Sequence, residues 1–162
     1  MNDADFDKQK SRIEKLIEEW LRPIGLGWWR IDFIYQRAGL PQSDEQKELG
    51  SCTVFEVAAD WRYLNATIWA NMPEIAKLDD ERLEICFVHE LQHIFVNELR
   101  ADVPEPVVRQ MADHEERVCQ TLALAFIWVR NHTREHAQAQ IKDTSKSENV
   151  EVQKMPARAR RV

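Results

Sequence analysis

Leu83-Glu84-Ile85-Cys86-Phe87-Val88-His89-Glu90-Leu91-Gln92-His93-Ile94-Phe95-Val96 is the stretch whose reading decides the fold. Apolar residues flank the polar cluster His89-Glu90-Leu91-Gln92-His93, and their spacing predicts one long helix over about 80–100. Asp79 is placed to cap it, because its carboxylate can accept the free amides of the first turn. Leu78 and Leu83 suit a hydrophobic staple across that cap, and Asp80 and Glu81 suit the positive end of the helix dipole. Pro104 and Pro106 mark the break beyond it.

Outward from that helix, a second long helix is expected to start near the two prolines and run at least to Val129. On the N-terminal side, Phe6, Ile13, Leu16, Ile17, Trp20 and Leu21 recur near helical spacing, which predicts an amphipathic helix over 6–21. Pro23, Gly25 and Gly27 end it. Three strands are expected: 28–35, with Trp29, Ile31, Phe33 and Tyr35 on one face; 53–59; and 63–70, with Leu64, Ala66 and Ile68 on one face. The polar stretch 37–51 reads as a loop. Asp60-Trp61-Arg62 reads as a turn short enough to make the last two strands an antiparallel hairpin. The expected class is α+β, a small antiparallel sheet with an N-terminal helix and two long helices. Residues 1–134 are expected to form the domain and 135–162 a polar, basic, flexible tail, since apolar periodicity fades past Asn131.

Composition bounds the function. The chain has 162 residues, of which 44% are hydrophobic and 31% charged, as in a globular protein with a core. The longest apolar run, Leu122 to Val129, falls well short of the about 20 residues a membrane span needs. The acidic start MNDADFDKQK does not resemble a signal peptide, so a cytoplasmic location is expected. Cys52, Cys86 and Cys119 are too scattered for a disulfide framework or a cysteine-rich zinc site. The net charge is −6, and 142–162 is net basic, so the body is more acidic than the whole. Phosphate contacts need clustered Lys and Arg, which makes nucleic acid an unexpected partner and leaves only a weak option through the tail.

The polar cluster carries the chemistry. Histidines at i and i+4 lie about 40° apart on one helix face, where two neutral imidazoles can share one Zn²⁺. A glutamate beside the first of them can then take a proton from a water activated by the metal. The third ligand is expected on the second long helix. With Val107 set at 0° and about 100° per residue, the apolar stripe centres near 60°, Glu115 falls near 80°, His114 near 340° and Glu116 near 180°. A carboxylate inside an apolar stripe is costly without a cation to meet, so Glu115 is the expected ligand, with His114 next. The competing reading gives Glu115 an ion pair with Arg82 or Arg100.

HELQH followed by Glu115 on the next helix resembles the gluzincin arrangement of zinc metallopeptidases. Residues 28–129 resemble a minimal zincin core, most like the small H-E-x-x-H proteins of phages and mobile elements that are distantly SprT-like and ImmA-like. The resemblance implies that His89, His93 and Glu115 bind Zn²⁺ and that Glu90 is the general base acting on a protein or peptide substrate. It also implies that strand 63–70 is the edge strand beside the cleft, where an extended peptide could add. The alternative is a catalytically silent zinc-binding regulatory module of the same origin. Neither a metzincin extension nor a cysteine-rich ribbon follows His93.

Other features have blander readings. His132-Thr133-Arg134-Glu135-His136 spells the inverted motif, but its polar flanks favour a solvated helix end. Cys86, three residues before His89, is expected as a small buried hydrophobe rather than a ligand, and Cys52 and Cys119 as core or strand-end residues. The six tryptophans are expected to pack or to line the cleft. Tyr63 is a minor candidate for an oxyanion donor, as are His132 and His136.

Overall fold

Asn2 opens the first helix by accepting the Asp5 amide at 2.8 Å on its side-chain oxygen, and α1 runs Asp3–Trp20. Its buried residues Gln9, Ile13, Leu16 and Trp20 follow the helical repeat, so one face meets the core. The computed structural model describes residues 1–41, 53–100 and 103–154; Cys52, most of the expected 37–51 loop and the end of the expected tail lie outside them.

Three strands follow: β1 (Arg30–Gln36), β2 (Phe55–Asp60) and β3 (Asn65–Asn71). On β1, Ile31, Phe33 and Tyr35 turn inward, as the alternation predicts. A 3₁₀ turn, Trp61–Tyr63, joins β2 to β3, with Leu64 in the left-handed region at φ 50° closing it. The short link makes β2 and β3 antiparallel, with Val57 opposite Ile68. β1, however, runs parallel to β3, with Phe33 opposite Ile68, so the sheet is mixed and its order is β1-β3-β2. This corrects the expected all-antiparallel sheet. β2 still runs opposite to β1, but the long connection between them lets it lie on the far side of β3, which puts β3 beside β1 in the parallel sense. It also corrects the expected edge: β3 is central, with Ala66, Ile68 and Ala70 buried, and β2 is an outer strand.

A single turn of helix, α2 (Met72–Ile75), enters on Pro73, whose missing amide costs nothing in a first turn. Helix α3 spans Asp80–Arg100, and the Asp79 side chain accepts the Arg82 amide at 2.7 Å, the expected cap. It buries Leu83, Phe87, Val88, Leu91 and Ile94. Phe87 stands at the centre of the sheet contact, with the Phe33 and Phe55 rings 6.2 and 5.7 Å away. Full burial of a side chain of this size contributes about 1.5–3 kcal/mol. Arg12 ties α1 to the same layer: its guanidinium donates to the carbonyls of Ile75 and Leu78, to Gln9 and to Asp80.

Helix α4 spans Glu105–Lys154. The chain divides into two compact units, Met1–Leu124 and Ala125–Val162. The first holds the sheet, α1 to α3 and the start of α4. In the second, the backbone stays helical to Lys154 through Ala-, Gln- and Lys-containing sequence of good helix propensity. Among the described residues no helix is long and apolar enough to cross a membrane.

Candidate metal centre

The i, i+4 spacing on α3 brings the His89 and His93 rings together, with their Nε2 atoms 3.1 Å apart. From α4, the Glu116 carboxylate meets both: Oε2 lies 3.1 Å from His89 Nε2 and Oε1 lies 3.4 Å from His93 Nε2. These three side chains form the one group of potential metal ligands among the described residues.

The opposite ring nitrogens are also held from α4. His93 Nδ1 lies 2.8 Å from Glu115 Oε1, and His89 Nδ1 lies 3.2 Å from the Gln120 side-chain oxygen. Both partners can accept from Nδ1, and the tautomer that uses them leaves the Nε2 lone pair free for a metal. Each Nε2 then presents a lone pair to the other and to a carboxylate. In that tautomer the gathered acceptors repel one another, and a cation between them relieves the repulsion. Two nitrogens 3.1 Å apart can both lie at the about 2.0–2.1 Å that zinc prefers, and a carboxylate oxygen is an ordinary third ligand. The donor set therefore fits the ion.

Glu115 and Glu116 divide the work differently from the helical-wheel reading. The Glu115 side chain is largely shielded, at 9% exposure, and its second oxygen accepts from Arg100 Nη1 at 2.8 Å. The structure thus realises the competing ion pair with Arg100 and places Glu115 behind His93, while Glu116 faces the two Nε2 atoms. His114 is exposed and lies 3.4 Å from Arg117, away from the ligand group.

The wheel reading passed over Glu116 because the stripe of large apolar residues is not the packing face of α4. Val107, Met111, Val118 and Leu122 are all substantially exposed, whereas Cys119 and Ala123 are fully buried. The buried small residues Cys119 and Ala123 fall near 120° and 160° on the same wheel, with Glu116 at their margin. That small-residue face was the available signal. Gln120 carried no comparable mark, whereas Arg100 is the partner that the competing reading names.

Glu90 sits beside the pair in an open cleft of about 540 Å³, lined also by Phe55, Glu56 and Val57 of β2. Burial raises its pKa to about 8, the Glu116 and Glu56 carboxylates push the same way, and a backbone hydrogen bond at Val57 opposes them. A carboxylate poised this far up can take and return a proton near neutral pH. Burial pushes the Cys119 thiol up to about 12, and its sulfur lies 3.5 Å from His93 Nδ1. Cys86 is half-buried with its pKa also raised, chiefly by burial, and stands outside the ligand group. Tyr63 is 76% exposed and does not line the cleft. His132 and His136 belong to the second unit and pair with each other.

Comparison with protein-family models, with curated proteins and with solved structures gives no match.

Proposed function

We propose that the chain is a zinc-dependent metallopeptidase in which His89, His93 and Glu116 hold the ion and Glu90 is the general base. The observation that carries this reading is the convergence of three potential ligand atoms: two imidazole Nε2 atoms 3.1 Å apart that face one carboxylate, each ring held at Nδ1 from α4. When bound, zinc supplies a Lewis acid that polarises a carbonyl and acidifies water.

The chain's own residues supply the rest. Glu90 takes a proton from the attacking water as its oxygen bonds to the peptide carbon, then returns that proton to the amide nitrogen as the C–N bond breaks. Glu115 holds the His93 ring, and Arg100 keeps Glu115 paired in a largely shielded setting. The outer edge of β2 runs along the cleft that holds Glu90, and among the described residues β3 is its only strand partner. A peptide in extended form can add there through backbone hydrogen bonds.

The test is metal content by elemental mass spectrometry together with hydrolysis of denatured protein and peptide libraries. Wild type and Glu90→Gln should each hold zinc at the site, Glu116→Ala should lose it, and only wild type should cleave. Zinc retained in Glu116→Ala, or cleavage by Glu90→Gln, overturns the assignment. Bound zinc in a wild type that cleaves nothing replaces it with the silent zinc-binding module.

A further inference from the structure

The second unit repeats half of the metal site. His132 and His136 of α4 are again i, i+4, and their Nε2 atoms are again 3.1 Å apart. The Trp128 ring stacks on His132 at 4.9 Å and 15° and so fixes the plane of that imidazole. Two nitrogens at this separation can bind one ion, and imidazole suits zinc, copper and nickel. Unlike the first pair, this one has no third Cys, Asp, Glu or His within ligand range among the described residues. The pair therefore offers two of the four ligands that a closed tetrahedral zinc site uses.

We propose that a second copy of this chain supplies the other two, so that zinc joins two chains through a four-histidine site built from His132 and His136 of each. A two-fold axis through the ion makes the same pair available from both sides, and the contact closes on itself without further growth. The neighbouring surface suits a partner helix. Trp128 and Val129, one turn before His132, are 62% and 53% exposed, large apolar side chains that a second helix would cover. Every residue over 131–140 is also exposed, and a solvent-exposed helix is marginal in water, so pairing stabilises the segment that carries the ligands. This proposal uses none of His89, His93 and Glu116 and stands apart from the peptidase reading.

Sedimentation equilibrium of the full chain, stripped with chelator and titrated with zinc chloride, is the test. The mass should double on adding zinc and return to the monomer value with chelator. His132→Ala/His136→Ala should stay monomeric at all zinc concentrations; both positions are exposed, and far-UV circular dichroism checks that the variant is folded. His89→Ala/His93→Ala should still dimerise, binding about half an equivalent of zinc per chain, as a shared four-ligand ion requires. That arm separates this site from the first, because it holds whether or not the first binds metal. A chain that remains monomeric with excess zinc overturns the proposal. So does dimerisation that survives loss of His132 and His136, or a full equivalent of zinc on this pair without a change in mass.

Discussion

His93 is the residue on which the candidate centre turns, because both of its ring nitrogens are committed. Nε2 faces Glu116 and His89, and Nδ1 is held by Glu115. If Glu115 is a positioning residue and Glu116 a ligand, the two neighbours should respond differently to the same change. Glu115→Gln keeps an acceptor for Nδ1 and loses the ion pair with Arg100; zinc affinity should fall by about 10–100-fold, the usual cost of disturbing such support. Glu116→Gln should fall further, to the level of a two-histidine site. Equal losses measured by competition with a chromogenic chelator would contradict this division. Glu90 makes a second prediction, for the metal-free chain. Its pKa is raised from 4.5 to about 8, so the folded state holds this proton more tightly than the unfolded state does. Stability from that proton is complete below about pH 4.5 and is lost as pH rises through about 8. Glu90→Gln carries no such charge. It should melt several degrees above metal-free wild type at pH 8, and the gap should close toward pH 5. A gap that is flat with pH sinks this account. His89, Glu90 and His93 were legible in the sequence because helix geometry alone aligns them. The placement of Glu116 rather than Glu115 before the two Nε2 atoms was not, since it depends on which face of α4 meets α3.

That face is a matter for the element. Hydrophobic patterning assumes that the largest apolar side chains point to the core, and for α1 and the part of α3 before Phe95 they do: Ile13, Leu16 and Trp20 on one, Leu83, Phe87 and Leu91 on the other. On α4 the assumption fails. Cys119 and Ala123 are buried while Met111 and Val118 stand exposed, so the helix meets the site with its small side chains. Enlarging the buried face should hurt and changing the exposed face should not. Ala123→Leu is expected to destabilise by about 1–3 kcal/mol through overpacking, and to weaken zinc binding by shifting Glu116. Val118→Lys is expected to stay within about 0.5 kcal/mol. Urea denaturation of the two variants decides it, and the reverse order would restore the large-residue face as the core. The sheet teaches a similar lesson. The β2–β3 hairpin could be read from its short turn, but the partner of β1 could not, because the chain from β1 to β2 is long enough to put either β2 or β3 beside β1.

Within the first unit, two separate devices hold distant parts of the chain together. Arg12 binds α1 to the carbonyls of Ile75 and Leu78 and to Asp80 at the start of α3. The His89–His93–Glu116 group joins the middle of α3 to α4. The two share no partner, and groups without shared partners contribute almost additively to stability. Zinc at about 100 times its dissociation constant should stabilise the native state by about 2.7 kcal/mol, which for a chain of this size is a rise of roughly 5–10 °C in Tm. Arg12→Leu leaves the Ile75 and Leu78 carbonyls and the Gln9 side chain without this donor, a loss of about 1–3 kcal/mol by the usual cost of an unmet buried hydrogen bond. If the devices are independent, the rise in Tm on adding zinc should be the same in Arg12→Leu as in wild type, and absent from Glu116→Ala. Calorimetry with and without zinc checks all three chains. A zinc response that vanishes in Arg12→Leu would mean that α1 and the metal group fold as one cooperative assembly, with the position of α3 against α1 setting the geometry of the ligands.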